Sequence, residues 1–514
     1  SMKLISFIFR HFIPIALLAG VAVIIFSAAT PVTSSRIEPI GVDLLSSPPL
    51  TEGAVEQQLN AIQNSGSEYV RIEVNWTLIE TSQDLYNWSN AMPLDLFITS
   101  ASARGLKCVA VLTGFPLYLS SSGTALDQKT VGERWEKFIQ AAMEHFGDRV
   151  DYWQIGDQIN SSLSSRSLSQ ADPAFYAKML RSASKIIKKA NPNDQVWMGS
   201  LVSATAVNCA VNPLTFLLEI NGANAWKSAD IITYQPQRGA TTPETPSTAT
   251  ISPACSSAMT ENYTSLSTEV LSVQDLARQL GGKTVYITGL SWSLGDLQSL
   301  QGGRSIDLNT LQSDLLVRAS VILTGANSIP VVFWQIDPVN QPSSMTTMTN
   351  LNTSLDNSQP LGQIQGQTGV VHEFRFQKGA RVNVLAWRSL DGDSPQPVSF
   401  SGLATGSMLA YSTDVATLDQ TSGTPIDVDA SGNTIIMLNE RPVILVGKTG
   451  GWDSQIKAMA SDQLDSWRIS IHQAMSKGLN RLKAALFQWL EDLFTSAKDS
   501  AVDWGEEKIK EFLN

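Results

Sequence analysis

The feature that most constrains the fold is an eightfold recurrence of short apolar runs with helix-patterned segments between them. The runs are IGVDLL at 40–45, YVRIEVNW at 69–76, LKCVAVL at 106–112 and VDYWQIG at 150–156. VWMGSLV at 196–202, DIITYQ at 230–235, TVYITG at 284–289 and IPVVFWQI at 329–336 complete the set. Near-continuous apolar character is what strands buried on both faces need. Intervening stretches such as Val131–His145 and Pro173–Ala190 carry helical periodicity. Parallel strands must be joined by crossovers, so the alternation predicts an α/β chain with a closed (β/α)8 TIM barrel over residues 37–340.

The pattern changes after the barrel. Asn340–Gly362 is polar and rich in Ser, Thr and Asn, and reads as a linker. Beyond it come short alternating runs: VVHEFRF, RVNVLAWRS, GSMLAYS, NTIIMLN and RPVILVG. These predict a small antiparallel β-sandwich, with linker and sandwich together filling 341–450. The tail, 451–514, has two amphipathic stripes. Ile456, Met459, Leu464, Trp467 and Ile471 lie on one, and Leu479, Leu482, Leu486, Trp489 and Leu493 on the other. Stripes of this kind need a cover, so the expectation is a protein partner, self-association or a membrane-interface contact. A hairpin packed on its own domains is the alternative.

Residues 1–36 read as membrane anchor and linker. Phe12–Ala29 is almost wholly apolar, with Lys3, Arg10 and His11 ahead of it. About 18–20 apolar residues span a bilayer as a helix, and the basic flank sets a cytoplasmic N-terminus. The expectation is a single-pass cell-membrane protein with its body on the extracytoplasmic side. A signal peptide cleaved near Ser27-Ala28-Ala29 would export the same body. Export permits a disulfide between Cys209 and Cys255, both in polar loops, whereas Cys108 lies in an apolar strand and reads as a buried thiol. A net charge of −11 argues against a nucleic-acid partner. The four histidines are scattered, with no HExxH, no His/Cys cluster, no Gly-rich phosphate loop and no G-x-S-x-G, so neither metal nor cofactor is expected.

Two strand ends carry the functional signal. Asp151–Asn160 reads DYWQIGDQIN, and Val285–Ser293 reads VYITGLSWS. They resemble the catalytic strand ends of retaining clan-A glycoside hydrolases, a TIM-barrel family of β-xylosidases and cellulases. There the first motif runs W-x-I-G-N-E-P-N and supplies the acid/base Glu; the second runs roughly I-T-E-x-G-W-S and supplies the nucleophile. NTIIMLNERPVILVG, at 433–447, resembles the closing strands of the family's β-sandwich. The resemblance places Gln158 and Gly289 where the family has its two Glu residues. No Glu lies between Glu144 and Glu219 or between Glu269 and Glu373, so no small register shift restores either one. Retaining hydrolysis needs two carboxyl groups about 5–5.5 Å apart, and a carboxamide has no titratable proton.

Further positions follow from the same resemblance. Arg71 matches an Arg that supports the nucleophile, Trp76 the Trp ending the second strand, and Asn160 the Asn closing the acid/base motif. Trp334 matches a sugar-platform Trp, and Trp292 survives beside Gly289. Asp157 replaces a family Asn, and Gln235-Pro236-Gln237 stands where H-x-Y is usual. Each has a plainer reading: Trp76 and Trp334 as core or rim aromatics, and Arg71 as the ion-pair partner of Glu73 or Asp43. The implied protein is a catalytically inactive glycosidase-like subunit at the cell surface. The alternatives are a glycan-binding protein using the old cleft, and a hydrolase with relocated acids such as Asp157.

Overall fold

The eight apolar runs form eight parallel strands closed into a barrel. They are β1 (Gly41–Asp43), β2 (Tyr69–Asn75), β3 (Lys107–Thr113), β4 (Tyr152–Ile155), β5 (Gln195–Met198), β6 (Ile231–Gln235), β7 (Thr284–Leu290) and β8 (Val332–Gln335). Strand order follows the chain, and β8 pairs with β1 to close the ring. The structure, a computed structural model, describes residues 36–447 apart from 45–50, 89–92, 121–126, 163, 165–167, 169–170, 205–209, 249–261, 264, 365–369, 380, 390–393 and 420. The apolar segment at 12–29, the tail at 451–514, and Cys209 and Cys255 lie outside the described residues. Among the described residues no helix is long and apolar enough to cross a membrane.

Side chains from alternate strand positions fill the barrel in layers. At the floor, Tyr69, Tyr152, Trp197, Tyr286 and Phe333 meet edge-on, with ring centroids 5.8 Å apart for Tyr69–Tyr152 and 5.1 Å for Trp197–Tyr286. Edge-to-face contact suits the aromatic quadrupole and leaves a packed core rather than a pore. Cys108 is a buried free thiol, as its apolar strand implies, and burial raises its pKa to about 12.

Among the described residues the longer helices are α1 (Glu52–Asn64), α2 (Leu94–Ala103), α3 (Gln128–Phe146), α4 (Pro173–Ala190), α5 (Pro213–Gly222), α6 (Leu266–Gln279), α7 (Leu294–Gln301), α8 (Leu308–Gly325) and α9 (Pro342–Leu355). Side-chain caps fix several starts: Asp127 for α3, Asp172 for α4, Asn212 for α5, and capping boxes at Ser265 and Ser293 for α6 and α7.

The expected linker is largely a helix. Residues 342–355 form α9, whose buried face carries Met345, Met348, Leu351 and Leu355. Its polar side chains are consumed by specific bonds. Asn352 Nδ2 donates to the Ser65 carbonyl at 2.9 Å, and Asn350 Nδ2 donates to the carbonyls of Thr413 and Val415 at 2.9 and 2.7 Å. A composition that looks like a linker is here a polar seam between barrel and sandwich.

The sandwich strands are β9 (Gln359–Gln363), β10 (Val371–Lys378), β11 (Arg381–Arg388), β12 (Gln396–Phe400), β13 (Gly406–Ser412), β14 (Thr424–Val428), β15 (Thr434–Leu438) and β16 (Val443–Val446). Six form an antiparallel sheet in the order β9-β10-β11-β16-β13-β14, and β12 pairs with β15. Helix α8 lies between barrel and sandwich and is buried from Leu311 to Gly325. A Cβ at Gly325 would meet the Phe374 ring at 2.5 Å, so the sandwich approaches as closely as a glycine allows. Ion pairs bolt this seam. Glu244, from the loop after β6, accepts from Arg318 of α8 and from the Trp387 indole at 2.8 Å. Burial pushes the Glu244 carboxyl up, but the Arg318 charge wins and holds it near 2. Arg441 bonds Asp314 at 3.2 Å and Asp414 at 2.7 Å.

Candidate functional site

Above the aromatic floor the barrel holds a buried polar layer built on Arg71. The chain alternation that sends Tyr69 inward also sends Arg71 inward, one layer higher. Its guanidinium bonds Asp43, Asp157 at 3.1 Å and the Gln154 Oε1 at 3.2 Å. Gln154 donates onward to Ser200 Oγ at 3.2 Å and to the Gly156 carbonyl at 2.8 Å, and Ser200 bonds Thr288 at 2.7 Å. Arg71 is fully buried, and Asp43 and Asp157 are 1% and 2% exposed. A buried guanidinium needs such partners because uncompensated charge is costly in a low dielectric. Asp43 is thus one of the two partners expected for Arg71. Glu73 is not among the partners; its Oε1 instead accepts from Thr113 Oγ1 at 2.6 Å. Asp157 is locked into the same network rather than presented at the mouth. Gln154, Ser200 and Thr288 were not singled out from sequence; the only signal was a polar residue inside an otherwise apolar strand.

The next layer up carries Gln158 and Gly289, which the sequence resemblance sets where that family has its Glu residues. Gln158 has φ 50 and Gly289 has φ 68, both left-handed. The Gln158 Nε2 donates to Gln235 Oε1 at 3.3 Å, and the Gln235 Nε2 donates to the Gly289 carbonyl at 3.4 Å. A Cβ built on Gly289 would lie 2.1 Å from the Gln235 Nε2. The Gln235 carboxamide therefore fills the space that any side chain at 289 would enter. This layer can donate and accept hydrogen bonds but offers neither a proton to a leaving oxygen nor a nucleophilic oxygen.

Several residues that the resemblance sets at a sugar cleft lie elsewhere, and for Trp76 and Trp334 the plainer reading as core aromatics holds. Trp76 is fully buried, stacks on Phe138 with centroids 5.3 Å apart, and donates to Glu80 at 2.6 Å, so it faces the helix layer. Trp334 is fully buried and donates to Ser320 of α8 at 2.7 Å; it too points outward from the barrel. Asn160 is buried and ties the chain together, donating to the carbonyls of Val202 and Val211 at 2.8 and 2.7 Å. Trp292 is 5% exposed, with its indole donating to the Thr241 carbonyl at 3.0 Å. Gln237 is half-buried, and its backbone N–H donates to Ser203 Oγ at 2.8 Å.

Beside the barrel axis, between the segments following β7 and β8, lies an open cleft of about 380 Å³. Trp292, Gln312, Gln335, Asp337 and Gln341 are among its lining residues. The Asp337 carboxylate accepts from the backbone N–H groups of Val339 and Asn340 at 2.9 and 3.0 Å and from the Asn340 side chain at 2.7 Å. Partial burial opposes ionisation, but these bonds prevail and hold its pKa below the usual carboxylate range. Among the described residues no group of three or more His, Cys, Asp or Glu side chains could hold a metal ion.

Known structures share this fold. A family 39 glycoside hydrolase from Bacteroides cellulosilyticus matches with a TM-score of 0.58 at 15% identity, over 81% of this chain and 82% of the other. A GH30 endoxylanase from Clostridium papyrosolvens matches with 0.54 at 13% identity, over 81% and 98%. A family 51 α-L-arabinofuranosidase from Bifidobacterium longum matches with 0.52 at 12% identity, over 82% and 98%. No protein-family model and no curated protein matches the sequence. The chain has the barrel-and-sandwich fold of these glycoside hydrolases, and fold alone does not carry their chemistry.

Proposed function

We propose that this protein is a catalytically silent relative of the clan-A glycoside hydrolases, acting by recognition or assembly rather than by turnover. One observation carries the reading: the Gln235 carboxamide occupies the space a side chain at 289 would need, 2.1 Å from its Cβ. A side chain there would have to displace that carboxamide from a left-handed backbone position, and glycine itself presents no nucleophile. Gln158, on the opposite side, supplies no proton, and Asp157 is held by Arg71. Relocated acids are disfavoured by the same geometry, since Asp157 is buried against Arg71 and the Asp337 carboxylate is turned onto its own loop.

The apolar segment at 12–29 and the two stripes of the tail support a membrane-anchored subunit whose body is extracytoplasmic and whose tail makes the assembly contact. The test is turnover. Aryl xylosides, glucosides, galactosides and arabinosides should release no aglycone above the rate of a heat-denatured sample. Robust hydrolysis with retention of configuration would overturn the reading.

A further inference from the structure

We propose that the cavity where α8 and α9 meet the sandwich binds the ammonium group of a small primary amine, seated on the Asp314 carboxylate and the Thr347 hydroxyl. The cavity holds about 270 Å³ and is lined by α8, α9 and the segments that follow β13 and β15. It shares no lining residue with the layer of Gln158, Gln235 and Gly289, so the inference goes beyond the non-catalytic reading and does not depend on it. Thr347, on α9, lines this cavity and is fully buried, yet its Oγ1 has no hydrogen-bond partner among the described residues. A buried hydroxyl left unsatisfied is costly unless water or a ligand pairs with it. Asp314, on α8, is 3% exposed and lines the same cavity. Its carboxylate bonds Arg441 at 3.2 Å, and that guanidinium is shared with Asp414 at 2.7 Å. Burial raises the Asp314 pKa to about 6 against the pull of Arg441, so the shared guanidinium does not fully compensate this charge.

The rest of the lining selects the class of ligand. Its hydroxyl protons are spent on helix carbonyls: Ser313 Oγ donates to the Asn309 carbonyl at 2.9 Å, and Thr346 Oγ1 to the Pro342 carbonyl at 3.1 Å. What these oxygens can still offer a ligand is lone pairs. Two carboxylates against one guanidinium leave the lining with a net negative charge, and Arg441 is committed to both, so an anion finds no counter-charge. A calcium ion takes about six to eight oxygens and would sit beside the Arg441 guanidinium with only two carboxylates to offset it. A primary ammonium instead brings three donors, which Asp314, Thr347 and one further hydroxyl can accept. The volume is below the roughly 300–1,000 Å³ of clefts for drug-sized ligands, which suits an amine of few heavy atoms. Asp414 and Arg441, with side chains 46% and 38% exposed, open the cavity to solvent.

The test uses the full chain in detergent, at about pH 7.5 in phosphate buffer free of other amines. Ethanolamine and putrescine are titrated by calorimetry. Tetramethylammonium, which is cationic but has no N–H donor, and calcium chloride are the comparisons. At least one amine should bind at millimolar concentration or tighter, and tetramethylammonium at least tenfold more weakly. Asp314→Asn should weaken amine binding at least tenfold by removing the counter-charge. Thr347→Val keeps the size of the side chain and removes the hydroxyl, and should weaken binding about fivefold. Without amine, the same variant should leave the thermal unfolding midpoint unchanged or higher, because the hydroxyl it removes is unsatisfied there. That pair of readouts keeps the test decisive if Asp314→Asn fails to fold. No binding by either amine, equal binding of tetramethylammonium, calcium bound in their place, unaltered amine binding in Thr347→Val, or a lowered midpoint of that variant without amine would each overturn the proposal. None of these outcomes touches the non-catalytic reading, which rests on Gln158, Gln235 and Gly289.

Discussion

Replacing Gly289 with alanine tests whether the end of β7 is crowded by Gln235. Gly289 has φ 68, where an L side chain costs about 1–2 kcal/mol. The new Cβ would also lie 2.1 Å from the Gln235 Nε2 and 2.7 Å from its Cδ, well inside contact distance. Gln235 is 3% exposed, so its carboxamide must turn within a packed layer and give up its bonds to Gln158 and the Gly289 carbonyl. Overpacking of this kind costs about 1–3 kcal/mol. The sum is roughly 2–5 kcal/mol for Gly289→Ala, with only the backbone part remaining once Gln235 is shortened to Ala. Urea unfolding followed by tryptophan fluorescence on the two single variants and the double variant measures both parts. The double variant should be more stable than the singles sum to, by about 1–3 kcal/mol. A Gly289→Ala variant within about 0.5 kcal/mol of wild type, or strict additivity, would refute the idea that Gln235 fills the site. The catalytic corollary is that Gln158→Glu with Gly289→Glu yields no efficient enzyme while Gln235 remains, since preorganised surroundings supply much of an enzyme's rate.

Asp157→Asn should leave glycosidase activity at background yet destabilise the fold by about 3–5 kcal/mol, because it removes one of two carboxylates from a fully buried Arg71; an unchanged unfolding midpoint would contradict the role assigned to it. Burial raises the Asp314 pKa to about 6, against the Arg441 charge, which lowers it. A raised folded pKa contributes stability that is fully present below the unfolded value of about 3.9 and lost as pH rises through about 6, so this carboxyl should cost up to roughly 3 kcal/mol between those limits. Stability profiles of wild type and Asp314→Asn measure this: the wild-type component falling from pH 4 to 7 should vanish in the variant, and parallel profiles would count against it. Removing residues 451–514 together with 1–35 should leave a folded barrel and sandwich but abolish assembly, read by light scattering and circular dichroism; unfolding would assign the tail to its own chain's core, and surviving assembly would remove its interaction role.

The eight strands were legible because burial on both faces writes a local signature, a short run of β-branched and apolar residues, that does not depend on what the strand meets. That position 158 holds a glutamine and position 289 a glycine was legible at once, since a side chain without a carboxyl lacks it in any packing, whereas the sequence left Arg71 open to Glu73 or Asp43. Facing was not legible. Trp76 and Trp334 sit at strand ends, where one residue of register or a short helical turn decides whether an indole enters the cleft or the helix layer. Both enter the helix layer, toward Glu80 and Ser320. Helix α9 was hidden because its polar residues, Asn350 and Asn352 among them, bond carbonyls on distant segments, which makes a buried seam look like a linker. Gln235 and Gly289 are 54 positions apart, and only the closure of β6 against β7 sets the carboxamide of one into the space left by the other. Sequence thus determined which groups exist at the strand ends, and the tertiary structure decided which of them share a volume, because side-chain direction and contact depend on register and closure rather than on composition.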